Sequence, residues 1–226
     1  MKPRLLDLFC GAGGCSKGYQ DAGLEVTGVD IDPQPNYCGD HFIQDDALHY
    51  LQELILDEEN DRYFDAIHAS PPCQAFSLAS LWRGKANQER HPDLVDATRR
   101  LLRDSDLPWV MENVVGAPLR ADLTLCGEMF GLGVHRHRIF ETEGFFAMSP
   151  PHARHRLKGA LNNCHVEEGF TRMVVGNYAD HESASRAMGI DWMNRSELRL
   201  AIPPAYTEHI GEYLMAAVKQ ANPVRW

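Results

Sequence analysis

The sequence contains no Cys-x-x-Cys pair, although six cysteines are scattered at positions 10, 15, 38, 73, 126 and 164. A chain of 226 residues has enough material to bury a core without disulfides. Reduced thiols and a cytoplasmic setting are therefore expected. Long apolar runs are missing too: none approaches the roughly 20 residues that span a bilayer. No apolar stretch of signal-peptide length precedes the first acid, Asp7. Basic charge is in short supply, with 22 Lys and Arg against 32 Asp and Glu and a net charge of −10. That deficit argues against a general binder of polyanions, because phosphate contacts need Lys and Arg. It leaves room for a local basic surface, and Arg and His do cluster between residues 135 and 158. There is no internal repeat and no low-complexity segment. The 44% hydrophobic and 24% charged content is that of an ordinary globular domain.

What is present alternates between apolar runs and helical periods. Residues 4–9, 24–29, 64–69 and 109–111 read as buried strands. Residues 16–22, 49–56 and 91–104 read as helices, the last from apolar residues at 94, 95, 97, 101 and 102. Such alternation predicts an α/β fold, a parallel sheet covered by helices on both faces. The unusual residues sit where the strands end, which is where open α/β sheets bind ligands. The pattern weakens after residue 140. Residues 182–189 and 206–221 then read as helices.

The first strand runs into Cys10-Gly-Ala-Gly-Gly14, a tight glycine turn. A strand, a glycine turn and a helix present free backbone N–H groups to a ligand. Asp30, at the end of the second strand, is placed to accept hydrogen bonds from ribose hydroxyls. The turn is neither Gly-x-Gly-x-x-Gly nor a Lys-Ser/Thr phosphate loop. It suits a nucleoside ligand without a pyrophosphate, such as S-adenosylmethionine. On this motif alone, a turn needed only for packing is equally good.

Cys73 follows two prolines at a strand end, and Glu112 stands at the end of the next apolar strand. A lone Cys is usually a small buried hydrophobe. A Cys inside Pro71-Pro-Cys-Gln-Ala-Phe-Ser77 at a strand terminus reads instead as a nucleophile aimed by a stiff loop. Glu112 is a candidate acid beside it.

These segments together resemble the DNA cytosine-5 methyltransferase family. Asp7-Leu-Phe-Cys-Gly-Ala-Gly-Gly14 resembles its cofactor loop, and Asp30-Ile-Asp32 its ribose and adenine segment. Pro71–Ser77 resembles the nucleophile loop, Glu112-Asn-Val114 the motif that holds the cytosine edge, and Arg136-His-Arg138-Ile-Phe140 the arginine pair. The motifs keep the family's order across residues 4–140. The resemblance implies a Rossmann-like class I S-adenosylmethionine-dependent methyltransferase sheet with a small C-terminal recognition segment. It implies S-adenosyl-L-methionine as cofactor and double-stranded DNA with a flipped cytosine as substrate.

Carried over by residue, Cys73 attacks carbon 6, Glu112 holds ring N3, Arg138 binds the base carbonyl and Arg136 helps position the loop or the substrate. Phe9, Gly11, Ala12, Gly13, Gly14, Asp30, Ile31, Asp46 and Pro72 line the cofactor. Gln74, Ser77 and Asn113 hold substrate, and Arg154, Arg156 and Lys158 contact phosphates. Ile31 stands where the family often has an aromatic, and Val134 where it often has Gln. Residues 182–191 resemble a later motif. Ala201-Ile-Pro-Pro-Ala205 resembles the last one, whose helix packs beside the cofactor loop, with Arg199-Leu200 replacing the usual Gly-Asn.

The reading divides the chain into a catalytic and cofactor-binding part (1–140), a reduced target-recognition region (141–180) and C-terminal helices returning to the catalytic part (181–226). A recognition region this short predicts a target of two to four bases or relaxed specificity, because even one small DNA-binding module buries roughly 600–1,000 Å². His135, His137, His152, His155 and His165, with Cys164, lack zinc-ligand spacing, so no metal is expected and the histidines are read as exposed or DNA-facing. The same chemistry also serves cytosine in RNA, as in the tRNA-methylating branch of the family, or free deoxycytidine nucleotides, and a non-catalytic DNA-binding relic is a further alternative. Restriction-modification, self-protection of a mobile element and gene regulation would all use it.

Overall fold

The computed structural model describes residues 2–57, 63–72, 93–152 and 180–221. Seven strands form one sheet: β1 (Arg4–Leu8), β2 (Glu25–Asp30), β3 (His41–Gln44), β4 (Ala66–Ala69), β5 (Trp109–Val114), β6 (Leu123–Leu125) and β7 (Arg138–Glu143). Their order is β3-β2-β1-β4-β5-β7-β6. The pairs from β3 through β5 are parallel, and β7 runs antiparallel to both β5 and β6. The described helices are α1 (Gly14–Asp21), α2 (Ala47–Leu56), α3 (Val95–Asp104), α4 (His181–Met188), the short α5 (Arg195–Leu198) and α6 (Pro204–Ala221). The expected Rossmann-like α/β sheet is therefore what the chain forms.

Strand alternation sorts the core into two layers. In β1, Leu5 packs with α1 and α6 through Tyr19, Tyr206 and Ile210, whereas Leu6 and Leu8 pack on the other face with Leu51 of α2 and Leu102 of α3. The same alternation assigns Val110 and Phe140 to the α1/α6 face and Met111 to the α2/α3 face. By period two, Asp7, His68, Glu112 and Arg138 then all share the α1/α6 face. Register confirms the neighbourhood: Asp7 pairs with His68, Glu112 with Phe140 and Val114 with Arg138.

Helix α6 lies directly on α1. A Cβ on Gly18 would stand 2.1 Å from the carbonyl oxygen of Pro204, so this crossing requires glycine. Thr207 Oγ1 also donates to the carbonyl of Cys15. The C-terminal segment thus packs on the first strand–turn–helix unit.

Several boundaries differ from expectation. β5 extends through Val114, so Glu112 and Asn113 lie inside the strand rather than beyond it. No strand is expected at β3, β6 or β7 from the sequence. β7 spans Arg138–Glu143 and so crosses position 140.

Candidate active site

The chain reverses direction of winding between β1 and β4, and a cavity of about 520 Å³ opens at the carboxyl ends of the strands there. One part is built from the glycine turn and the acids after β2 and β3. Phe9 and Gly11 adopt positive φ (60° and 50°), which folds the turn back under the cavity. Asp30 Oδ2 accepts from the Gly11 N–H at 2.9 Å and Oδ1 from the Asp32 N–H at 3.0 Å, so one carboxylate clamps the turn to the end of β2. Ile31, 64% exposed, presents bare apolar surface into the cavity. Asp46 lines it as well while its Oδ1 caps α2 through the N–H groups of Leu48 and His49. Of the residues expected here, Phe9, Gly11, Ala12, Gly14, Asp30, Ile31, Asp46 and Pro72 line the cavity. Gly13 serves differently: at φ 87° it caps α1, and its carbonyl accepts from Cys38 Sγ.

The other part is acidic and buried. Glu112 is 5% exposed, and burial raises its carboxyl above the usual range despite the opposing influences of Arg138, a Ser70 hydrogen bond and Arg136. Arg138 Nε stands 2.9 Å from Glu112 Oε1, an ion pair by distance whose N–H does not point along the hydrogen-bond direction. Behind it, Ser70 Oγ lies 2.9 Å from His68 Nε2, and His68 Nδ1 lies 2.9 Å from the Tyr19 hydroxyl. His68 is fully buried and its pKa falls to about 3, because burial penalises the imidazolium. A continuous polar chain thus runs Tyr19–His68–Ser70–Glu112–Arg138 across the α1/α6 face.

Asp7 lies beside this chain. Ser16 donates to its Oδ2 at 2.5 Å, and its buried Oδ1 has no hydrogen-bond partner. Burial, and then the nearby Asp30 and Glu112 charges, push its carboxyl up to about 7. Asp7, Asp30 and Glu112 all line the one cavity. With Asp32, Asp46 and Glu197, six acids line it against the two arginines Arg138 and Arg199; that excess and the orphaned carboxylate oxygen favour a cationic occupant, and the exposed Ile31 favours one with an apolar ring. S-adenosyl-L-methionine, with its sulfonium, ammonium, ribose and adenine, meets both requirements.

Two site residues have roles the sequence did not indicate. Asn113, expected to touch substrate, donates from Nδ2 to the carbonyl of Pro71 at 3.0 Å and is 1% exposed. It holds the proline loop in place from below. Arg136, expected at the nucleophile loop, is 5% exposed and donates to the carbonyl of Arg199, while its own carbonyl accepts from the Tyr206 hydroxyl. It ties the arginine segment to the closing segment. Cys73, Gln74, Ser77, Arg154, Arg156 and Lys158, and with them His155, His165 and Cys164, lie outside the described residues. The sequence assigns no role to Asp7, although it opens the segment resembling the cofactor loop, nor to His68 and Ser70, which sit within and just beyond a strand without a motif of their own. Arg199, Leu200, Ala201 and Ile202, from the segment resembling the closing motif, line the C-terminal side of the cavity.

The model of the C-5 cytosine-specific DNA methylase family matches residues 3–120, more than half of the chain. The chain belongs to that family. S-adenosyl-L-methionine is the family's methyl donor, which agrees with the cavity. A Type II methyltransferase, M1.HphI of Haemophilus parahaemolyticus, is 31% identical over 144 residues, 57% of this chain and 38% of that protein. M.AquIA of Picosynechococcus sp. is 33% identical over 128 residues, 51% of this chain and 50% of that protein. The curated relatives that this chain matches are longer: it covers between 28% and 50% of each. Among solved structures, one described as a DNA modification methyltransferase encoded within an E. coli prophage superposes with a TM-score of 0.65 at 16% identity, covering 96% of this chain and 100% of that one. Entamoeba histolytica EhMeth superposes at 0.59 with 12% identity, over 97% and 99% of the two chains. Both are likenesses of fold. Among the described residues, no helix is long and apolar enough to cross a membrane.

Proposed function

We propose that this chain methylates carbon 5 of cytosine in DNA through a covalent adduct between Cys73 and carbon 6 of the base. The observation that carries the reading is Glu112. It is a buried carboxyl with a raised pKa, 2.9 Å from a guanidinium, in the same cavity as the ribose- and adenine-type groups Asp30, Ile31 and Asp46. Carbon 5 of cytosine is a poor nucleophile. Attack of the Cys73 thiolate on carbon 6 forms a C–S bond and shifts electron density onto carbon 5. A Glu that is easily kept protonated donates to N3 and relieves the charge that develops there. Arg138, held beside Glu112, is positioned for the base carbonyl.

S-adenosyl-L-methionine, when bound, supplies the methyl group. Carbon 5 then carries both methyl and hydrogen. A base removes that proton, the double bond reforms and the thiolate leaves. Asn113 contributes by fixing Pro71, the carbonyl two residues before Cys73, and Arg136 by tying the arginine segment to Arg199. The base must leave the duplex, because its ring faces are otherwise stacked. The short stretch between β7 and α4 fits a target of two to four bases or relaxed specificity.

Duplex DNA carrying 5-fluorocytosine is the decisive probe, because fluorine cannot leave as the proton does. Incubation with S-adenosyl-L-methionine is expected to give a denaturation-resistant protein–DNA adduct in the wild type and none in Cys73→Ser. No adduct in the wild type, or an adduct that survives in Cys73→Ser, overturns the mechanism. Methyl transfer to tRNA or to deoxycytidine nucleotides, with duplex DNA inert, overturns the substrate.

A further inference from the structure

The β6–β7 hairpin ends in a cluster of metal-ligating side chains that methyl transfer does not use. The last ladder pair is Leu125 with Arg138. Continuing that antiparallel register brings Cys126 opposite His137, and His135 lies two residues along, on the same side as His137. The side chains meet accordingly: Cys126 Sγ and a nitrogen from each of His135 and His137 all lie within 4.8 Å of one another. The two imidazoles stack edge to face with centroids 4.8 Å apart, and the His152 ring sits 5.3 Å from that of His137. A second trio of Cys126, Glu128 and His152 meets the same distance limit. Cys126 belongs to both trios and is fully buried.

We propose that Cys126, His135 and His137 bind a zinc ion, with His152 or Glu128 completing a tetrahedron. A thiol with two or three imidazoles is a borderline-soft donor set, which suits zinc rather than magnesium or calcium. Tetrahedral zinc with bonds of about 2.0–2.3 Å places its ligand atoms roughly 3.3–3.7 Å apart, so small rotations of these side chains close the site. Binding exchanges the thiol proton for a Zn–S bond and releases that proton to solvent. With four protein ligands the site is closed to substrate, and the metal's role is structural.

The consequence lies in the alternation of the segment that leads into β7. Arg136 and Arg138 alternate with His135 and His137, so a metal that fixes the histidines also fixes the arginines between and beside them. One is the Arg138 that stands against Glu112 and the other the Arg136 that ties down Arg199. His152 follows β7 and Cys126 follows β6, so the ion pins the chain leaving β7 to the end of β6. The sequence reading expected no metal because it looked for linear spacing. The ligands are instead gathered from the two ends of the connection between β6 and β7, and His135 and His137 are half-buried rather than exposed.

The test uses the full chain, purified without a histidine tag. Elemental analysis is expected to find about one zinc per chain. Replacement by Co²⁺ is expected to give a thiolate-to-cobalt charge-transfer band in the near ultraviolet. Cys126→Ser and the double variant His135→Gln/His137→Gln are expected to lose both signals, whereas Cys38→Ser retains them. EDTA is expected to lower the unfolding midpoint of the wild type and leave that of Cys126→Ser unchanged. The proposal is overturned by a wild type that takes up neither zinc nor cobalt, or by zinc that remains in Cys126→Ser. These readouts require no methyl transfer, so they stand or fall separately from the proposed reaction.

Discussion

Arg138 Nε lies 2.9 Å from Glu112 Oε1, with the two side chains 14% and 7% exposed. Strand pairing sets this contact. β7 runs antiparallel to β5 in a register that places Arg138 opposite Val114, two residues beyond Glu112 and on the same face of the sheet. A guanidinium and a carboxyl buried this close depend on each other, and removing either exposes the cost of burying the other.

Arg138→Met leaves the Glu112 carboxyl buried without its nearest opposite charge, Arg136 remaining as a weaker one. Losing one partner of a buried ion pair costs about 3–5 kcal/mol. The Glu112→Gln/Arg138→Met double variant is expected to recover most of that loss in urea unfolding. Glu112→Gln alone is expected to fold and to lower turnover by about 10²–10⁴-fold, the usual worth of a positioned acid. A Glu112→Gln enzyme with wild-type turnover would remove Glu112 from the mechanism.

The Ser70 hydroxyl connects His68 to Glu112, and its hydrogen bond holds the Glu112 carboxyl lower than burial alone would. Ser70→Ala is therefore expected to raise the Glu112 pKa further. In a pH–rate profile, the limb that reports the protonated acid is expected to extend to higher pH. A simple loss of rate at every pH, with the limb unmoved, would reduce Ser70 to a packing role.

Asp7 and His68 face each other across β1 and β4 and titrate in opposition. The Asp7 pKa is raised from 3.8 to about 7, so its contribution to stability is full below about pH 4 and is lost as pH rises toward 7. The His68 pKa is lowered from 6.5 to about 3, so its contribution is full above pH 6.5 and is lost as pH falls toward 3. Between about pH 4 and 6.5 the two slopes, about 1.4 kcal/mol per pH unit for one proton each, offset one another. Asp7→Asn is expected to gain stability relative to wild type as pH rises through that window, and His68→Gln to lose it. Urea midpoints measured at pH 4.5, 5.5 and 6.5 check both signs.

Asp30 clamps the glycine turn through two backbone N–H groups and also lines the cavity. Hydrogen bonds to a charged group contribute about 1.5–3 kcal/mol. Asp30→Ala is accordingly expected to weaken S-adenosyl-L-methionine binding by about 10–100-fold in calorimetry, with little change in far-UV circular dichroism. Unaltered affinity would place the ribose elsewhere.

Much of the fold and part of the site can be read along the chain. Apolar runs ending in glycine, proline or an acid mark β1, β2, β4 and β5, because a parallel strand buried on both faces must be apolar until it leaves the sheet. Glu112 and Asp30 stand out because a charge at the end of such a run needs a reason. β6 and β7 are not legible in the same way. β6 has three residues, and β7, Arg-Ile-Phe-Glu-Thr-Glu, carries charges within the strand that are satisfied by partners distant in sequence, Glu141 by Arg99 among them.

The sequence by itself determined the four central strands, most of the helices, their apolar stripes and the residue types that chemistry would use, because these depend on periods of two and 3.6 and on local turn geometry. Tertiary structure decided which of those residues meet. Asp7 beside His68, Ser70 beside Glu112, Asn113 beneath Pro71 and Cys126 beside His135 and His137 are each fixed by strand register or by the path of a loop. Register is set by how whole faces of the sheet pack on α1, α6, α2 and α3, which no short stretch of chain contains.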